Sequence, residues 1–264
     1  MQSGLNANGG CGGSLVQLVG GFQLVEGEAE LALAEGSQRL IALLALHGRP
    51  VKRLLVAGTL WPDVTENLAY ARLRSALSRL YGTVRDAVEV SPSNLSLGTS
   101  VRVDLRESRA LAHRLLYAGD EPIRAPDLSA AAIAALSGDL LPDWYDDWVL
   151  LEAEDWRQLR MHALEALAAL LTAAGRYGAA ATAALAAVRA DPLRESAHAA
   201  LIRVHLAEHN QSEAFRQFKL YSELLRAELD IEPTAQLRQL TQAHPTSRPG
   251  EGAWSVTRSE SPWV

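Results

Sequence analysis

The alanine content beyond Asp104 constrains this chain more than any other feature. From there to about Leu240 the sequence is built largely of Ala, Leu, Glu and Arg, broken at Pro122–Pro126 and Gly138–Pro142. Alanine is the strongest helix former and has no bulk to fill a wide gap, so such a stretch must become helices that approach one another closely. Gly175 to Leu225 carries a weak internal repeat. With Gly175 at an interhelix turn, Ala180, Ala184, Ala187 and Pro192 take the small-residue and terminating positions of a tetratricopeptide-like helix pair. A shift of 34 residues then sets His209 on Gly175, Ala214 on Ala180 and Phe218 on Ala184.

The first hundred residues have a different texture. Leu15–Val19, Phe22–Val25 and Ala29–Leu33 alternate in the β manner across glycine turns, predicting a small antiparallel sheet. A helix follows over Arg39–His47 and stops at Gly48; a second opens at Pro50-Val51 and ends at Trp61-Pro62. Asp63 and Glu66 have the spacing of a capping box before a third helix, from about Asn67 to Tyr81. Val88–Val90 and Leu95–Leu97 flank a turn at Ser91–Asn94 and read as a hairpin, with a further strand near Val101–Leu105. Sheet, three helices and hairpin in that order predict a winged helix-turn-helix. The expected fold is mainly α with a small β part, the winged helix being followed by an all-α array. Residues 1–14 are expected to be a flexible tail, 15–106 the winged helix, 107–243 the array and 244–264 a disordered tail.

Charge sharpens the division. The chain holds 25 Lys and Arg against 31 Asp and Glu, a net charge of −6. Residues 1–106 are near neutral at +1, and the acidity lies in residues 107–264 at −7. Between Asn67 and Arg85 every charge is an arginine: Arg72, Arg74, Arg79 and Arg85. At 100° per residue, Ala69, Leu73, Ala76, Leu77 and Leu80 fall on one side of the third helix. Ala71, Arg74, Ser75, Ser78 and Arg79 spread over the other, with Arg72 at its edge. Small residues permit close approach to a major groove while arginine reaches phosphates or guanine edges.

Other chemistries fare worse. The one cysteine, Cys11, excludes an intramolecular disulfide and a cysteine-based zinc site. No apolar run is long enough to span a membrane, and the N-terminus lacks the charge and apolar core of a signal peptide, so a cytoplasmic location is expected. His205-Leu206-Ala207-Glu208-His209 spells a zinc-protease pattern but falls at the end of a repeat helix with no assigned third ligand. Trp144, Trp148 and Trp156 are expected to pack a helix onto the array rather than to stack bases. Asp143, Asp146, Asp147, Glu152, Glu154 and Asp155 are expected to form a solvated face that repels DNA and meets a protein partner. No catalytic residue, metal site or cofactor is expected, and the competing reading is a protein–protein adaptor with little intrinsic DNA binding.

Several motifs, in order, resemble one family. Leu43-Leu44-Ala45-Leu46-His47-Gly48-Arg49-Pro50-Val51, Leu60-Trp61-Pro62-Asp63 and Ala71-Arg72-Leu73-Arg74-Ser75-Ala76-Leu77-Ser78-Arg79-Leu80 are similar to the winged-helix half of the SARP-type bacterial transcriptional activators. Gly138-Asp139-Leu140-Leu141-Pro142-Asp143-Trp144-Tyr145-Asp146-Asp147-Trp148-Val149, Ala190-Asp191-Pro192-Leu193-Arg194-Glu195-Ser196-Ala197-His198 and Glu228-Leu229-Asp230-Ile231-Glu232-Pro233-Thr234 resemble their bacterial transcriptional activation domain. The resemblance implies an OmpR-like DNA-binding fold and activation of transcription from promoter direct repeats, with double-stranded DNA and RNA polymerase holoenzyme as partners and self-association on the repeats. It carries Arg72, Arg74, Ser75, Ser78 and Arg79 onto the recognition helix, Lys52 and Arg53 onto the start of the supporting helix, and Ser93 and Asn94 onto the wing tip. Pro62, Asp63, Val64, Thr65 and Glu66 become the loop presented to polymerase. Two departures stand out: Tyr81-Gly82 replaces further basic residues, and no Lys or Arg lies between Asp86 and Ser100. Both should weaken phosphate contact and flatten its salt dependence.

Overall fold

A computed structural model describes residues 14–27, 29–117 and 122–242. Both expected tails lie outside these residues apart from Ser14, which opens the first strand.

Strands β1 (Ser14–Gln17) and β2 (Gln23–Glu26) pair antiparallel with Val16 opposite Leu24. The chain reverses between them through Gly20 and Gly21, at φ +88° and +133°, values that an L side chain rarely adopts. β3 (Ala29–Glu30) adds outside β2, and β7 (Arg102–Val103) joins β1 in parallel, giving the order β3-β2-β1-β7. Helix α1 (Glu35–His47) starts four residues earlier than its apolar pattern, buries every residue from Leu40 to Leu46 and ends on Gly48 at φ +62°.

The next step differs from the sequence expectation. Val51–Lys52 is not the opening of a helix but a strand, β4, and α2 covers only Arg53–Leu60. Val51 is drawn into extended backbone because it pairs with Leu95 of β6 (Asn94–Leu97), which pairs in turn with β5 (Val88–Val90). The wing is thus three-stranded, in the order β4-β6-β5. Helix α3 spans Glu66–Ser78, shorter than expected, and a separate short helix α4 (Gly82–Asp86) leads into the wing from Gly82 at φ +54°. The expected capping box is absent. Thr65 is the N-cap and makes no side-chain cap bond, while Glu66 is already helical.

The remainder is helical: α5 (Asp104–Leu116), a 3₁₀ turn (Ala125–Leu128), α6 (Ala130–Ser137), α7 (Asp147–Ala173), α8 (Tyr177–Ala190), α9 (Glu195–Ala207), α10 (Gln211–Leu229) and α11 (Ala235–Gln242). Ala180, Ala183, Ala184 and Ala187 of α8 are fully buried, as close helix approach requires. The repeat is real in atomic detail. Gly175 at φ +70° and His209 at φ +63° hold the same place in two successive turns. Four backbone bonds recur 34 residues later: Ala174 N to Leu170 O at 3.0 Å becomes Glu208 N to Val204 O at 3.0 Å, and Arg176 N to Leu171 O at 2.9 Å becomes Asn210 N to His205 O at 2.8 Å. Gly175 N to Thr172 O and Ala180 N to Arg176 O likewise become His209 N to Leu206 O and Ala214 N to Asn210 O. The first three are paired helix C-caps that satisfy the last carbonyls of α7 and α9, and the fourth is the first bond of the helix that follows.

One core runs through both halves. Beyond β1, Val19 bridges Leu140, Gly20 N donates to Asp139 O at 2.7 Å and Leu141 N donates to Leu18 O at 2.9 Å. Gly138 is required at this crossing, since a Cβ there would come within 2.7 Å of Val19 Cγ1 and 3.2 Å of Gly20 N. The Asp104 carboxylate accepts from Leu18 N at 2.9 Å and Val19 N at 3.0 Å, and burial pushes its pKa up despite those bonds. Phe22 stacks on Trp144, Trp144 meets Trp148 edge-on, and buried Trp156 donates to Gly138 O at 2.9 Å. The tryptophans are therefore packing residues.

Candidate nucleic-acid interface

Helix α3 turns Ala69, Leu73 and Ala76 into the core, with Leu80 buried just beyond its end. Its seat is fixed by the buried hydroxyl of Ser37 on α1, which donates to Ala76 O at 2.9 Å. The opposite face exposes Arg72, Arg74, Ser75, Ser78 and Arg79. Arg79 is the helical C-cap, a position at which the negative end of the helix dipole favours a cation. Ser78 Oγ donates to Ser75 O at 2.9 Å, which leaves its lone pairs outward. None of the Arg72, Arg74 and Arg79 side chains has an ion pair or hydrogen bond among the described residues. These guanidiniums stand in solvent with their donors free.

The three arginines are not equivalent. Arg72, Ser75 and Arg79 line a groove of about 360 Å³ between α3 and the start of α1, completed by Gly36, Ser37 and Trp61. Arg74 lies outside that groove. That Trp61 and the first turn of α1 belong to this face is not legible in the sequence, because only the folded packing of α1 against α3 brings them there.

The second cluster is assembled by the wing. Lys52 of β4 pairs with Asn94 of β6, and Arg53 N donates to Ser93 O at 2.9 Å. Lys52, Arg53, Ser93 and Asn94, predicted from two separate segments, therefore meet at one edge. The tip is a closed turn: Ser91 N donates to Asn94 O at 3.0 Å, and Asn94 N donates to Ser91 Oγ at 2.9 Å. Pro62, Asp63 and Thr65 of the loop before α3 are exposed, as is Glu66, while Val64 packs half-buried on the core.

Elsewhere, the paired histidine pattern does not keep helical spacing. Helix α9 ends at Ala207 and His209 adopts the left-handed conformation, so His205 and His209 do not share a helix face. No cluster of metal-ligating side chains occurs among the described residues, and no helix among them is long and apolar enough to cross a membrane. The acidic segment is only partly a solvated face. Asp146 is ion-paired with Arg39 of α1, Glu152 with Arg109 of α5 at 2.7 Å, and Glu154 with Arg157 at 2.9 Å. Asp146 and Glu152 thus fasten the start of α7 to α1 and α5, whereas Glu154 pairs within its own helix and stays exposed.

A winged helix with an exposed cationic helix face, continuous with an array of paired helices, is the architecture of a two-part regulator of transcription. Residues 103–243 match the bacterial transcriptional activator domain, and the chain belongs to that family. The SARP-type resemblance of the sequence stands with it, and that family is one of transcriptional regulators rather than a class of enzymes. The fold is similar to that of Mycobacterium tuberculosis EmbR, solved in complex with a low-affinity phosphopeptide, at 23% identity and a TM-score of 0.61. The likeness covers 87% of this chain and 64% of that one, so this chain spans less than two thirds of its structural relative. No curated protein matches the chain significantly.

Proposed function

We propose that this regulator binds promoter DNA by laying α3 in the major groove, and that it activates transcription by contacting RNA polymerase. Residues 15–106 bind DNA and residues 107–243 make protein contacts; its site of action is the cytoplasm. The observation that carries this reading is that Arg72 and Arg79 on one flank and Arg74 on the other are all exposed, with unpaired guanidiniums, on a helix whose inward side is core. Arg72 and Arg79 reach toward one strand's backbone along the α1 groove, and Ser75 and Ser78 allow the helix to approach base edges. Arg74, outside that groove, reads a base. Lys52, Arg53, Ser93 and Asn94 clamp phosphates on the flanking side. The loop Pro62–Glu66 faces polymerase, and copies of the chain associate on direct repeats.

Binding of the full chain to its own upstream promoter, titrated across salt with an unrelated duplex beside it, tests the reading. Log affinity for the promoter should fall linearly with log salt, at a slope of about −0.9 per phosphate contact. The triple alanine variant at Arg72, Arg74 and Arg79 should bind both duplexes equally poorly. Absence of promoter binding at low salt would overturn the reading in favour of a protein–protein adaptor.

A further inference from the structure

The start of α7 carries a surface that neither the core nor the proposed DNA face uses. Tyr145 is 81% exposed, Leu151 74% and Leu150 48%. Single exposed leucines are ordinary on protein surfaces, but three large apolar side chains within seven residues make a patch. Asp143, Asp147 and Asp155 surround it, all exposed and all without an ion pair or hydrogen bond among the described residues. Asp147, Leu151 and Asp155 are spaced four apart, so they form one stripe along the helix.

The neighbouring carboxylates show that this turn had cations within reach. Asp146 pairs with Arg39 on α1 and Glu152 with Arg109 on α5. Those two bonds anchor this end of α7 to both halves of the molecule, so the patch is held rigid beside the seam. A preformed surface binds without the cost of ordering itself. Its electrostatics select the occupant. Free carboxylates beside leucines repel nucleic acid and complement lysine and arginine interleaved with apolar side chains. The chain's own residues 243–264 do not supply that complement, since they hold two arginines against two glutamates.

We propose that the surface formed by Tyr145 and the first turns of α7 as far as Asp155 is a docking site for a basic amphipathic helix of a partner protein. Apolar side chains of that helix cover Tyr145 and Leu151, and its cations meet Asp143, Asp147 and Asp155. This docking site is separate from the DNA face, so it stands or falls independently of promoter binding.

The test uses the full chain and a labelled helical peptide of lysines and leucines, read by fluorescence anisotropy, with a glutamate-for-lysine peptide as control. The lysine peptide should bind with an affinity that falls with salt, and the glutamate peptide should not bind. The variant D147N/L151S/D155N should lose about tenfold or more of that affinity. A second variant, E208Q/E228Q, removes two charges from exposed glutamates away from the patch and should keep its affinity within about twofold. Equal loss in the two variants would reduce the effect to net charge and overturn the site, as would failure of the lysine peptide to bind at low salt. Sedimentation showing self-association that the patch variant abolishes would make the occupant a second copy and overturn the foreign partner. Circular dichroism of both variants guards against misfolding.

Discussion

Arginine does opposite work in the two halves of this molecule. On α3, Arg72, Arg74 and Arg79 project into solvent with no carboxylate at ion-pair distance among the described residues. In the array, Arg160 is 2% exposed, donating to Ser137 O at 2.8 Å and pairing with Asp139. Arg114 grips nearly buried Asp127 through two bonds of 2.8 and 3.1 Å, and Arg194 holds Glu165 at 2.7 Å. Exposed Glu154, held by the Arg157 guanidinium, is drawn down to a pKa of about 2. An arginine whose terminal nitrogens are held by carbonyl and carboxylate fixes geometry; one with its donors free can still bind an anion. The contrast explains how a chain with a net charge of −6 can carry a cationic face: the surplus acid is concentrated in the half that neutralises its own arginines.

The contrast breaks if stability and DNA binding respond to the same substitutions. Arg160→Ala should show the largest effect, on stability alone. It removes a buried side chain and leaves Ser137 O without its donor, costing about 3–4 kcal/mol in denaturant unfolding. Asp139 itself is exposed, which keeps the loss below that of a fully buried pair cut in half. Asp127→Asn should cost about 2–3 kcal/mol at neutral pH by leaving Arg114 underneutralised. Hydrogen bonding from Arg114 holds the Asp127 pKa below the ordinary carboxylate value. Its stabilisation is therefore full above the unfolded-state pKa and fades as pH falls through the lower folded value. Unfolding curves of wild type and variant should converge in strong acid, and a constant gap would refute the ion pair. Arg79→Ala should do the reverse. Promoter affinity should drop by about 1–3 kcal/mol if the guanidinium reads a base, and by less if it meets only phosphate. Its unfolding free energy should stay within about 0.5 kcal/mol of wild type, and a larger destabilisation would deny that Arg79 is free.

What the sequence disclosed, and what it hid, follows the range of the interactions involved. Helical periods in α1 and α3 are legible because each residue's partner lies three or four places away, and the helical character of the array is legible from its alanine content. The repeat was legible too, since Gly175 and His209 mark turns 34 residues apart. Two-residue β4 has no period to read; only its pairing with Leu95, far along the chain, makes Val51 a strand residue. The end of α3 was overrun because Leu80 continues the apolar pattern past Ser78, though it is buried from a turn. The seam was wholly hidden. Asp104 accepts from amides 85 and 86 positions away, and Asp146 finds Arg39 at a separation of 107. Of the interface, the arginine face was readable from α3 alone. The wing residues came from the family resemblance, and their meeting at one edge, like the groove against Trp61, needed the fold.

The smallest effect tests whether the two turns of the array are the same structure on different residues. Gly175 adopts φ +70° freely, and nothing lies within 4 Å of where its Cβ would be. His209 adopts φ +63° with a side chain, at a cost in the left-handed region of about 1–2 kcal/mol. Its backbone makes the same bonds as Gly175, with His209 N donating to Leu206 O at 3.1 Å, so local hydrogen bonding does not explain the histidine. His209→Gly should relieve that strain, while the added freedom of glycine in the unfolded chain takes part of the gain back. The expected net is a stabilisation of about 0.5–1 kcal/mol, visible as a small rise in the unfolding midpoint. Gly175→Ala should be destabilising by a similar amount, because it installs the strain that His209 already bears. Opposite signs at positions related by the repeat would establish equivalent caps. Matching signs would show that α7–α8 and α9–α10 turn by different means.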